Sequence, residues 1–183
     1  MNLTETTINS KLVFDGKIIK VFLDDVKLPN GNTAFREYIK HNGGVTICAI
    51  TEERELLFVE QYRYSYKEVV LELPAGKLEK GTSPLENGKR ELLEETGATG
   101  VQYMSLGKMY PSAGYCGEII HMYFCKVDSF SQAQPDQDEF LNFVKIPIDK
   151  AVEMVLNNEI PDAKTQIAVL KTALLIDKGV IKF

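Results

Sequence analysis

The chain has no tryptophan, two histidines and three cysteines in 183 residues. Cys48, Cys116 and Cys125 are odd in number and form no C-x-x-C pair, so neither a disulfide framework nor a zinc ribbon organises the fold. Reduced, buried thiols in a cytoplasmic protein are the expectation. No run of about 18 apolar residues is present, and no membrane span is expected. The opening residues MNLTETTINS are polar and lack the apolar core of a signal peptide. There is no Lys/Arg block, and the net charge is −5. A nucleic-acid partner is therefore not expected, because backbone binders carry a basic face. An acidic protein can still bind phosphates, but it then needs a local cation or a few placed arginines.

What is present is the composition of a globular protein, 44% apolar and 26% charged, long enough to bury a core. The first forty residues read as three strands. KLVF and KIIKVFLDDVKL flank Asp15-Gly16, and TAFREYIK follows the turn residues Pro29-Asn30-Gly31-Asn32. Three strands make a thin independent core, so this piece should lean on the rest of the chain or on a second subunit. After Asn42-Gly43-Gly44, strands are expected at VTICAIT, LLFVEQYR and VVLELP, and later at VQYMSLGKMY, EIIHMYFCKV and FLNFVKI. Residues 128–139, DSFSQAQPDQDE, read as an acidic loop. Two C-terminal helices are expected, with Asp149 and Asp162 as N-caps. This order points to a mixed sheet between helices.

One helix is marked at both ends. Ser83, Pro84 and Glu86 read as a capping box with proline at the first position, and Gly97 suits the left-handed residue after the last turn. The spacing predicts a helix over Pro84–Thr96, with Leu85, Leu92 and Thr96 as its packing stripe. Glu91, Glu94 and Glu95 fall beside that stripe within an arc of about 100°. Like charges at i,i+4 cost roughly 0.2–0.5 kcal/mol, and the negative end of the helix dipole adds a similar penalty. A divalent cation reverses both signs. Glu91 and Glu95 can bracket one or two such ions, given Cβ atoms about 5–6 Å apart. A local rule broken without local gain marks a candidate functional site.

The flanking residues give that site a context. Residues 76–98, GKLEKGTSPLENGKRELLEETGA, resemble the Nudix box, in which Gly, Glu and then Arg-Glu-aliphatic-x-Glu-Glu-x-Gly-aliphatic recur at fixed spacing. Thr82 stands where the family's first Glu falls, a residue that usually orients the signature arginine. Glu94 or Glu79 is the candidate substitute partner for Arg90. LPNG (28–31), EQYR (60–63), LELPAGKLEKG (71–81), YPSAGYCGE (110–118) and DAKT (162–165) extend the likeness to bacterial ADP-ribose pyrophosphatases. Those enzymes usually carry Ser-Pro-Gly where this chain has Ser112-Ala113-Gly114.

The resemblance implies an α+β fold, a Nudix α/β/α sandwich with a mixed sheet, over residues 42–183. It also implies a small antiparallel β subdomain over residues 1–41 that joins two copies into a homodimer. The implied reaction is hydrolysis of ADP-ribose to AMP and ribose 5-phosphate with Mg²⁺, or alternatively Mn²⁺. Another nucleoside diphosphate sugar or dinucleotide is an alternative substrate, and a catalytically silent ADP-ribose sensor an alternative function. Glu91, Glu95 and the Ala75 carbonyl are the implied metal ligands. The implied base is a loop acid, best matched by Glu139, with Asp136 and Asp138 as neighbours. Arg63 and Arg36 are candidates for phosphate contact, against surface ion pairs as the plainer alternative. Glu37 and Glu118 are candidates for ribose or cross-subunit contacts, and Phe35 or Tyr38 for stacking on a base.

Overall fold

The structure is a computed structural model, and residues 1–135 and 139–182 are described. Contacts divide the chain into two units, Met1–Gly43 with Tyr110–Ile119, and Gly44–Met109 with Ile120–Phe183. In the first unit β1 (Thr6–Asp15), β2 (Lys20–Lys27) and β3 (Thr33–Lys40) form an antiparallel sheet in that order. The first turn spans more than Asp15-Gly16: Asp15 pairs with Lys20, and the Gly16 N–H reaches the Ile19 carbonyl. All ten residues of β1 are exposed. The Tyr38 ring stacks on Phe22 with centroids 5.2 Å apart, so this aromatic is already packed across the strand pair.

The second unit is built on a mixed sheet of β4 (Gly44–Ile50), β5 (Glu55–Arg63), β6 (Glu68–Glu72), β7 (Ala75–Lys77), β8 (Ala98–Met109), β9 (Ile120–Phe130) and β10 (Leu141–Pro147). The main path runs β10-β5-β4-β9-β8, with β6 beside β5 and β7 beside β4. β4 and β9 are parallel. Every residue of β4 is buried, as expected of a central strand covered on both faces. Its period-2 alternation sorts two cores. Val45, Ile47 and Ala49 join Leu57, Leu92 and Cys125 on one side. Cys48 and Ile50 join Phe58, Met122, Phe124, Ile148, Ala151, Ala168 and Val169 on the other. Helix α1 (Pro84–Thr96) covers the first face, and α2 (Ile148–Leu156) with α3 (Ala163–Asp177) covers the second. Among the described residues no helix is long and apolar enough to cross a membrane.

Two local expectations change. Ser83 caps α1 by accepting from the Glu86 N–H, but the Glu86 carboxylate bonds Lys89 at 2.8 Å, so only half of the reciprocal box is made. Helix α2 has Pro147 at its N-cap, and Asp149 sits inside the first turn. The Ile148 N–H is satisfied by the Arg54 carbonyl in the β4–β5 turn, which removes the need for a side-chain cap there. Asp162 does cap α3, accepting from the Thr165 N–H at 3.0 Å.

Gly97 closes α1 at φ 72°, bonding back to the Leu93 carbonyl. A Cβ at this position would lie 2.1 Å from the Ser131 carbonyl oxygen. Gly97→Ala is therefore expected to cost about 1–2 kcal/mol from the left-handed conformation alone, plus displacement of Ser131. A lowered urea midpoint at unchanged m-value checks this, and an unchanged midpoint would contradict it.

Candidate active site

Helix α1 places its carboxylates differently from the simple wheel. Its buried residues are Asn87, Gly88, Glu91, Leu92, Glu95 and Thr96. Glu91 and Glu95 thus lie on the core-facing stripe itself, 7% and 2% exposed. Glu94 is half-buried and ion-paired with Arg90, so the three acids are not equivalent. A solvated acidic face is ruled out for Glu91 and Glu95.

The strand before the helix is shaped around them. A Cβ on Gly76 would sit 1.9 Å from Glu91 Oε1, so only glycine leaves room for that carboxylate. Next to it, the Ala75 N–H donates to Glu95 Oε2 at 3.1 Å. Ala75 is held in turn through Pro74, whose carbonyl accepts from the Ile47 N–H and the Thr46 hydroxyl. The loop between β7 and α1 is pinned by Asn87, fully buried, which accepts from the Glu79 N–H and donates to the Ser83 carbonyl.

Arg90 has retained partners despite Thr82. Its guanidinium lies 3.3 Å from Glu79 and 2.6 Å from Glu91, and also bonds Glu94. Thr82 is exposed. Glu79, three residues before Thr82, and Glu94 both contact Arg90.

The acidic loop returns to the same place. The Ser131 N–H bonds the Gly97 carbonyl and the Gln134 N–H bonds the Glu94 carbonyl, docking the segment after β9 on the C-terminal end of α1. Glu139 then lies close enough to Glu91 and Glu95 for its charge to raise the pKa of both. Glu139 also lines a cleft of about 400 Å³ with Glu60, Tyr62, Val69, Phe140 and Asn142. Asp136 and Asp138 lie outside the described residues.

Electrostatics set Glu95 apart. Burial pushes its carboxyl up to about 8, and the charges of Glu91 and Glu139 add to this. The Ala75 N–H and the Arg63 charge oppose it without reversing the direction. Glu91 is also raised, mainly by burial, with Arg90 opposing. Among the described residues no group of three or more His, Cys, Asp or Glu side chains is placed to hold a metal ion by itself. Mg²⁺ does not need one, since it binds through one or two carboxylates, waters and substrate phosphates. Two buried carboxylates beside a strand backbone are a donor set that fits a hard divalent cation.

The remaining candidates are placed as follows. Arg63, at the end of β5, bonds both oxygens of the buried Glu72 and lies near enough to Glu95 for their charges to interact. Arg36 lies in the first unit, bonded to Glu5 through two nitrogens and to the Phe35 carbonyl through a third. That is the surface ion pair weighed for it above. Glu37 is exposed on β3, and Glu118 lies 3.2 Å from His41 Nδ1. Glu72 and Asn87 were not singled out in the sequence. A carboxylate interrupting the apolar run VVLEL, and an asparagine inside a helix where its propensity is poor, were the available signals.

A NUDIX domain model matches residues 40–168, and a nucleoside diphosphate sugar hydrolase N-terminal domain model matches residues 5–39. The chain is 42% identical to a methanol dehydrogenase activator from Bacillus methanolicus, over 90% of each chain. It is 37% identical to an ADP-ribose pyrophosphatase from Bacillus subtilis, covering 97% of this chain and 99% of that one. A crystal structure of an ADP compounds hydrolase superposes with a TM-score of 0.86 at 20% identity, over 99% of this chain and all of the other, which shows a shared fold. Box spacing, buried carboxylates, sandwich architecture and matched length agree: the chain belongs to the Nudix family and is a Nudix hydrolase.

Proposed function

We propose that the protein hydrolyses the diphosphate of a nucleoside diphosphate sugar, with ADP-ribose as substrate and AMP and ribose 5-phosphate as products. The observation that carries this reading is the pair Glu91 and Glu95, buried together under the charge of Glu139. Relatives named as ADP-ribose pyrophosphatases at 37% and 30% identity support the substrate. In the reaction a water oxygen bonds to one phosphorus, the bridging P–O bond breaks, and the bridging oxygen leaves with the other phosphate.

Glu91, Glu95 and the Ala75 carbonyl would hold Mg²⁺. When bound, the ion supplies neutralisation of the diphosphate and acidification of water. The chain's own groups do the rest. Ala75 N–H orients the Glu95 carboxylate, and Arg90, tied to Glu79 and Glu94, orients Glu91. Glu139 takes the proton of the attacking water, on a loop whose start is fixed to α1. Arg63 faces the diphosphate from β5 by charge-assisted hydrogen bonds. The smaller sheet is proposed to pair two copies. Ile8, Leu12, Val13 and Phe14 are exposed along β1, an apolar stretch that a second chain would cover.

Three outcomes are expected. With a panel of nucleotide sugars, ADP-ribose is turned over to AMP and ribose 5-phosphate in Mg²⁺ and not in EDTA. Tight ADP-ribose binding with no turnover of any diphosphate would overturn the enzymatic reading. Second, Glu95→Gln should lower the rate at least about 100-fold with the fold retained. In the metal-free protein Glu95 titrates near 8 against an ordinary 4.5. Its contribution opposes folding increasingly as pH rises between those values and is constant above. The melting temperature of metal-free protein should therefore fall from about pH 5 to about pH 8, and Glu95→Gln should flatten that fall. An equal slope in both proteins would remove Glu95 from this role. Third, light scattering should give twice the chain mass of 20.6 kDa, and a monomer at micromolar concentration would remove the dimer.

A further inference from the structure

Glu72 is 2% exposed at the end of β6, yet two cations converge on it. Arg63 donates to both of its oxygens, the second at 2.7 Å, and Lys164 Nζ shares that second oxygen. Burial alone would push the Glu72 carboxyl up, but Arg63 and Lys164 outweigh it and hold it below the ordinary range. Lys164 is itself 8% exposed and lies in the first turn of α3, the dipole end that disfavours a cation. It is held there by Glu72 and by Asp162 at 3.0 Å. The next residue, Thr165, accepts from the Leu73 N–H, so the start of α3 clamps the strand end that leads to Ala75.

One arginine already neutralises one buried carboxylate, and a second desolvated cation is costly. Asp162 offsets part of the Lys164 charge, but its own carboxylate is also engaged in capping α3. We propose that Lys164 is a positioning residue for diphosphate binding. By holding the second oxygen of Glu72 it shares that negative charge, so that Arg63 keeps an attraction for an anionic substrate while its guanidinium stays fixed beside Glu95. This rests on the reading of Arg63 as a phosphate contact. Without Lys164, Glu72 draws fully on Arg63, and the arginine becomes the closed half of an internal ion pair.

The test is kinetics with ADP-ribose and Mg²⁺, together with calorimetric binding of ADP-ribose in EDTA. Lys164→Met is expected to raise KM and Kd roughly tenfold, with kcat within about threefold. Lys164→Arg should recover most of the loss. The double variant E72Q/K164M, which removes the carboxylate along with its second cation, should return KM to within about threefold of the starting protein. A merely structural Lys164 predicts the reverse, with the double variant as poor as K164M or worse. A Lys164→Met effect confined to kcat, or a double variant still tenfold weak, overturns the inference. If Lys164→Met does not fold, the double variant alone decides by the same criterion. Arg63→Gln separates the two levels. An unchanged KM there sinks the phosphate role of Arg63, whereas a raised KM there with an unaffected Lys164→Met sinks only the inference about Lys164.

Discussion

Burying two carboxylates one helical turn apart is the constraint around which this chain is arranged. Each ion loses hydration, and the Glu91 charge raises the Glu95 carboxyl further, so the pair is a liability unless the surroundings answer it. Arg90 answers Glu91 with an ion pair, and the backbone supplies the rest. Gly76 gives up a side chain to make room for Glu91, and Ala75 turns its N–H to Glu95. The strand that carries both is fastened to the central strand through Pro74. What the protein does not supply is a cationic side chain bonded to Glu95 among the described residues. Burial pushes the Glu95 carboxyl up to about 8, against the pull of the Ala75 N–H and the Arg63 charge.

The arginines divide along the same logic. Arg90 is surrounded by Glu79, Glu91 and Glu94 and acts as an internal strut of the helix and its leading loop. Glu79, three residues upstream of Thr82, comes within 3.3 Å of Arg90 because Asn87 folds the loop back on the helix. Arg63 is bonded to the buried Glu72 and lies near enough to Glu95 for their charges to interact, so its charge is shared among buried acids.

Much of this was legible in the residues, and the exceptions share a cause. The bounds of α1 could be read because Ser83, Pro84 and Gly97 act locally, through caps and a left-handed turn. The start of α2 could not, because its first N–H is met by a carbonyl from another loop. β7 was missed since three residues around a glycine carry no pattern, and only pairing with β4 makes them a strand. The wheel put Glu91 and Glu95 beside the packing stripe because it scores apolar residues. It cannot know that Gly88 meets Ile47 and Val45 and so rotates the buried face toward the acids. In Asp162-Ala163-Lys164-Thr165 only the Asp162 cap could be read from the residues. The rest, a helix start gripping the end of β6, depends on contacts 92 residues apart in sequence.

The docking of Ser131 and Gln134 on the end of α1 fixes where the chain leaving β9 sits relative to the helix that bears Glu91 and Glu95. Ser131 directly follows Phe130, the last residue of β9, so the helix end takes hold of the chain as soon as it leaves the sheet.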